Sequence, residues 1–201
     1  AADPLRPGEI TPDVDLVICA HNEARVIAAR LENALALDYP PDKLTIWVAS
    51  DGSTDKTVDI TRSFDPQRVR CLDLPRNGKA AALNACVAAG HAEIVAFSDA
   101  NSLWCQDALR MLTRSFADPR VGGVAGDQRY AKDVSGALGE RSYWSFDRQL
   151  KCWQNRAGSV ISATGAIYAV RRELFQPAPP DATDDFMVST GVIAMGKRLV
   201  F

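Results

Sequence analysis

The chain has 201 residues, 47% of them hydrophobic and 24% charged, which predicts one compact domain with a full-sized core. A formal net charge of -2 gives no electrostatic reason to expect a nucleic acid or an anionic membrane surface as partner. No run of about 18 apolar residues occurs, and the five scattered cysteines lack zinc or disulfide spacing, so a reducing compartment and packing roles are expected for them.

Residues 14–19 form a short apolar run bounded by Pro12 and Asn22, as expected of a strand buried on both faces. Residues 22–37 follow with Val26, Ile27, Leu31, Ala34 and Leu35 at helical spacing, and Pro40-Pro41 stops the helix. The alternation repeats: strands over 44–50, 69–74 and 93–98, and helices over 54–64, 78–89 and 106–116. Four such alternations with short joints predict an α/β fold, a mainly parallel sheet with helices on its faces. Sheets of this kind bind ligands beyond the carboxyl ends of their strands.

The second half is less regular. A glycine-bearing strand is expected over 121–130, an aromatic helix over 138–156 and a strand pair or bent strand over 159–171. A proline-rich loop at 177–180 precedes a last helix over 184–195. Tyr143, Trp144, Phe146 and Trp153 read as core residues, because spacings of three and seven put pairs of them on one face. The chain stops at Arg198-Leu199-Val200-Phe201, which reads as the opening of a strand. It is therefore expected to be part of a longer protein.

Chemistry gathers at the strand ends. Asp99 and Asn101, after Ile94-Val95-Ala96, offer two short oxygen ligands of the kind hard divalent cations prefer, although such residues also end strands as turn formers. Asp51 tips the second strand, where its carboxylate can accept hydrogen bonds from a nucleobase, while Gly52 suits a tight turn and Ser53 or Thr54 a helix cap. In His21-Asn22-Glu23, Asn22 is a candidate N-cap with Glu23 in the first turn, and the same backbone N–H groups suit an anion. Lys79 opens a helix on the unfavourable side of its dipole, so it is either a phosphate contact or a solvated residue. Asp184 and Asp185 point about 100° apart on a helix, so one is expected to cap or align while the other faces a cleft as a base.

Together these segments resemble the inverting family 2 glycosyltransferases with the GT-A fold, over roughly residues 15–201. Val17-Ile18-Cys19-Ala20-His21-Asn22-Glu23 is similar to the family's first-strand signature, and Ser50-Asp51-Gly52-Ser53-Thr54-Asp55 to its D-D-G-S-T-D turn. Gly78-Lys79-Ala80-Ala81-Ala82-Leu83-Asn84 resembles its G-K-x-x-A-L-N helix. Phe97-Ser98-Asp99-Ala100-Asn101 stands where the metal-binding D-x-D belongs, with asparagine for the second aspartate. Residues 164–172 and Thr183-Asp184-Asp185 resemble the later sugar-site strand and the E-D catalytic motif.

The resemblance implies that Ala20, His21, Glu23, Asp51, Lys79 and Asp99 line a nucleotide pocket, with Asp51 toward a uracil. It implies that Asp99 and Asn101 hold Mg²⁺ or Mn²⁺, that Thr164 and Gly165 border the sugar and acceptor, and that Asp185, beside Asp184, is the general base. The expected reaction moves a sugar from a UDP-sugar to a hydroxyl of a glycan or lipid-linked acceptor. Residues 1–101 would form the nucleotide-binding half and 102–201 the acceptor half of one domain. Relatives with this motif set imply polysaccharide synthesis at the cytoplasmic face of the membrane, reached through segments outside these 201 residues. The alternatives are a sugar nucleotidyltransferase and a related domain that binds nucleotide without transfer.

Overall fold

The computed structural model describes residues 5–129, 138–179 and 183–201, and the side chains of 138–145 fall outside that description. Seven strands form one sheet in the order β3-β2-β1-β4-β6-β5-β7. They are β1 (Val14–Ala20), β2 (Leu44–Asp51), β3 (Val69–Leu74), β4 (Ile94–Asp99), β5 (Val121–Ala125), β6 (Tyr168–Arg171) and β7 (Arg198–Val200). The first four pair in parallel, β6 runs antiparallel between β4 and β5, and β7 pairs in parallel with β5. The architecture is α/β with a mainly parallel sheet, as the alternation predicts.

The described residues include six α-helices: α1 (Ile27–Leu35), α2 (Thr57–Arg62), α3 (Lys79–Ala89), α4 (Ala108–Thr113), α5 (Leu138–Ala157) and α6 (Asp184–Ala194). Alternate strand residues build two cores. Leu16, Ile18, Ile94 and Ala96 meet Ile27 and Leu31 of α1 and Leu109 and Leu112 of α4. Val17, Val95 and Phe97 meet Leu83 and Cys86 of α3 and Val188 and Val192 of α6 on the other face. Both faces are apolar because both are covered. Two β5 glycines permit close packing: a Cβ on Gly122 would lie 2.5 Å from Leu174 Cδ1 and 2.7 Å from Val192 Cγ1, and one on Gly123 2.7 Å from Leu199 Cδ1.

Several expectations are corrected. α1 begins at Ile27 and α2 at Thr57, because Asn22 takes a left-handed φ of 57° and serves the loops instead of capping a helix. Its Oδ1 accepts the N–H groups of Thr54 and Asp55, tying two strand-end loops together. Ser53 likewise caps nothing: its hydroxyl accepts from the Asn22 N–H and from Ser50 Oγ. β5 ends at Ala125, and Tyr130 lies outside the described residues, as does Pro180 of the proline-rich loop. Only 168–171 of the expected 159–171 strand region is strand. Phe146, Leu150 and Trp153 form an exposed stripe on α5, so the core reading fails for Phe146 and Trp153; Tyr143 and Trp144 side chains lie outside the described residues. Cys105 is exposed, which removes it from the packing set. Among the described residues no helix is long and apolar enough to cross a membrane.

Candidate active site

The strand order reverses at β1, whose two neighbours are β2 and β4. Chains leaving β1 and β4 therefore part to opposite sides, and a crevice opens beyond their carboxyl ends. Cys19 of β1 is in register with Asp99 of β4, and Ala20 with Ser50 of β2, so the three strand tips end level. A cavity of about 340 Å³ lies there. Ala20, His21, Glu23, Asp51, Lys79, Asp99 and Asn101, all singled out from the sequence, line it; Cys19, Arg76 and Ala100 complete the wall.

Asp51 is only 4% exposed, and its carboxylate is heavily engaged. It accepts the N–H of Asn77 at 2.7 Å, the N–H of Gly78 at 3.0 Å and a guanidinium hydrogen bond from Arg76 at 2.8 Å. The loop into α3 is thereby fastened to the tip of β2. Gly52 makes this possible: at φ 63° it has no side chain, and a Cβ there would stand 2.8 Å from the Arg76 backbone nitrogen. The His21 Nδ1–H donates to the Asp51 carbonyl at 2.8 Å, leaving Nε2 to accept from Asn22.

Lys79 is the centre of charge. Its ammonium lies 2.9 Å from Asp99 Oδ1 and 3.3 Å from Asp184 Oδ2. Burial opposes its charge, but the hydrogen bond to Asp99 and the charges of Asp184 and Asp99 outweigh burial and hold the amine above its ordinary value. Gly165 faces the same spot: a Cβ there would be 3.4 Å from Lys79 Nζ and 3.6 Å from both Asp185 Oδ2 and Asp99 Oδ1. The β6-side loop and α6 thus reach the crevice through Gly165, Asp184 and Asp185. Asp185 Oδ1 accepts the Phe186 N–H at 2.8 Å, which leaves Oδ2 as its outward atom. The α6 N-terminus carries no side-chain cap, so Asp184 aligns with Lys79 instead of capping. The Thr164 hydroxyl oxygen is buried and finds no partner among the described residues.

Two supporting residues carried no signal in the sequence reading. Arg76 is separated from Asp51 by 25 positions, so no local spacing pairs the two. Arg30 is fully buried on α1, donating to Ser98 Oγ at 3.3 Å and Asn33 Oδ1 at 2.9 Å, with its guanidinium 5.1 Å from the Trp104 ring centre. Burial lowers it to about 10. Asn33 also bonds both the N–H and the carbonyl of Trp104, so α1 clamps the loop leaving β4. Cys19 lines the cavity, but burial pushes its thiol up to about 12, so it is protonated and a poor nucleophile.

The donor set at Asp99 and Asn101 is one carboxylate and one amide oxygen. That suits a hard cation taking most of its ligands from phosphate and water, as Mg²⁺ commonly does. No cage of three His, Cys, Asp or Glu side chains occurs among the described residues.

The model of the family described as "Glycosyl transferase family 2" matches residues 15–177. The chain belongs to that family. It is 35% identical over 132 residues to a beta-monoglucosyldiacylglycerol synthase of Synechocystis, covering 61% of this chain and 28% of that protein. It is 26% identical over 219 residues to an N-acetylglucosaminyltransferase of Rhizobium sp. (strain N33), covering 98% of this chain and 48% of the relative. The chain thus spans less than half of these relatives. Among solved structures, a mannosyltransferase of Pyrobaculum calidifontis in complex with GDP-Man and Mn²⁺ superposes with a TM-score of 0.83 at 29% identity, covering 98% of this chain and 56% of that one. S. aureus TarS shares the fold at a TM-score of 0.65 and 15% identity, covering 93% of this chain and 57% of its own. The fold is GT-A, and the chain is a domain of the family 2 glycosyltransferases.

Proposed function

We propose that this domain transfers a sugar from a UDP-sugar to a hydroxyl of a glycan or lipid-linked acceptor, with inversion and with help from Mg²⁺ or Mn²⁺. The observation that carries the reading is the meeting of Asp51, Lys79, Asp99 and Asp185, from four separate segments, at the reversal of strand order. Residues 1–101 supply the nucleotide side of the crevice, and 102–201 supply the acceptor side through Thr164, Gly165, Asp184 and Asp185. In this reading the complete protein works at the cytoplasmic face of a membrane in polysaccharide or glycolipid synthesis.

The base lies within the β1–β2 rim, where Ala20, His21 and Glu23 meet Asp51. Asp51 acts chiefly by fixing the Arg76–Gly78 loop beside the base. Lys79 meets the diphosphate. Asp99 and the Asn101 side-chain oxygen hold the cation, which when bound neutralises charge building on the leaving diphosphate. Asp185 Oδ2 accepts the proton of the acceptor hydroxyl as its oxygen attacks the anomeric carbon from the face opposite the departing UDP. Oδ1, fixed by the Phe186 N–H, keeps Oδ2 aimed at the Gly165 gap.

The test is thermal unfolding of the 201-residue domain with UDP and Mn²⁺. A ligand present at 100 times its Kd stabilises by about 2.7 kcal/mol, which is a shift of about 5 to 11 °C for a domain of this size. Asp99→Ala is expected to abolish the shift. No stabilisation of the wild type by UDP with either metal would overturn the donor assignment. Stabilisation by UDP alone, indifferent to metal and to Asp99, would favour a nucleotide-binding domain without transfer.

A further inference from the structure

Lys79 is the first residue of α3, where the helix dipole disfavours a cation. Two carboxylates from other elements offset this: Asp99 at the end of β4 and Asp184 at the start of α6. Asp99 Oδ1 is thus bonded to an ammonium, while the reading above gives the same carboxylate to a divalent cation. An ammonium and a divalent cation on one carboxylate repel each other, so each weakens the hold of Asp99 on the other. Of the two, lysine is the mobile member: its flexible stem carries a point charge with three donors, and its side chain is 44% exposed.

We infer that Lys79 is the built-in counter-ion of Asp99 in the nucleotide-free domain, and that a bound diphosphate draws it away and so opens Asp99 to the divalent cation. Phosphate oxygens offer the ammonium charge-assisted hydrogen bonds that replace the one it gives up. Asp184 keeps hold of it during the exchange, and Gly165 leaves space beside it. The cation alone therefore binds weakly, and diphosphate and cation each tighten the other by the same factor. Part of that factor runs through one side chain. This inference rests on the proposed role of Asp99 as a cation ligand.

The experiment titrates Mn²⁺ into the domain with and without UDP, reading free Mn²⁺ by electron paramagnetic resonance; unfolding curves confirm that each variant is folded. Lys79→Met is expected to bind Mn²⁺ alone about tenfold more tightly than the wild type, within the usual range of coupling factors. The gain in Mn²⁺ affinity on adding UDP is expected to shrink by a similar factor. Arg76→Met, which removes a cation of the same cavity bonded to Asp51 instead of Asp99, is expected to change Mn²⁺ affinity less than twofold. An unchanged or weaker affinity in both Lys79→Met and Lys79→Gln overturns the inference, and so does an equal gain in Arg76→Met. In either case loss of Mn²⁺ binding in Asp99→Ala leaves the proposed function standing. If Asp99→Ala binds Mn²⁺ like the wild type, the cation assignment and the inference fall together.

Discussion

Asp185 holds its two oxygens in different surroundings, one tied to the Phe186 N–H and one turned toward Gly165. A base needs that asymmetry, since the anchored atom orients the reactive one. Asp185→Asn keeps the shape and the anchoring bond but cannot take a proton. In the complete enzyme we expect transfer to fall by about 10² to 10⁴, with UDP binding unchanged by calorimetry; retained transfer would place the base elsewhere. Tyr168 poses a different question. Its ring stacks on Phe97 with centroids 4.6 Å apart, and its hydroxyl is buried without a partner among the described residues. Burial raises its pKa well above the ordinary value, so it remains a neutral phenol. An unsatisfied hydroxyl costs about 1 to 3 kcal/mol. Tyr168→Phe is therefore expected to raise the melting temperature, and a fall would mean that the hydroxyl has a partner.

At the level of elements, α6 presses on β5 where Gly122 leaves no side chain in the way. Gly122→Val would drive two methyl groups into Leu174 and Val192, and overpacking of this kind costs about 1 to 3 kcal/mol. We expect urea unfolding to show a loss of that size with an unchanged slope; no loss would mean that α6 is loosely docked. The strands carrying the site were legible because each is a short apolar run ended by turn residues. Helix starts were misplaced where Asn22 and Ser53 turned their side chains to a neighbouring loop. β6 was expected as part of a longer strand region over 159–171, because its length is set by pairing with β4 and β5, which local alternation does not encode. The Lys79–Asp99 and Arg76–Asp51 bonds span 20 and 25 residues, so the motifs pointed to Lys79, Asp99 and Asp51 but not to the bonds they make, nor to Arg76.

For the whole molecule, the strand reversal at β1 explains why residues from distant segments share one crevice. The first four strands and their helices deliver Asp51, Lys79 and Asp99; the antiparallel β6 then brings Gly165 and, through α6, the two aspartates to the same edge. Family membership was readable because six short segments that resemble the family's motifs occur in order along the chain. The identities of sugar and acceptor were not, because they depend on pocket shape, which short motifs do not encode.

Anomalous diffraction at the manganese edge from crystals soaked with UDP and Mn²⁺ locates cation and nucleotide at once. One peak in contact with Asp99 and the diphosphate, with the base in the rim formed by His21, Glu23 and the Arg76–Gly78 loop, is the predicted result. A peak away from Asp99, or a nucleotide bound outside the crevice between β1 and β4, would contradict the account.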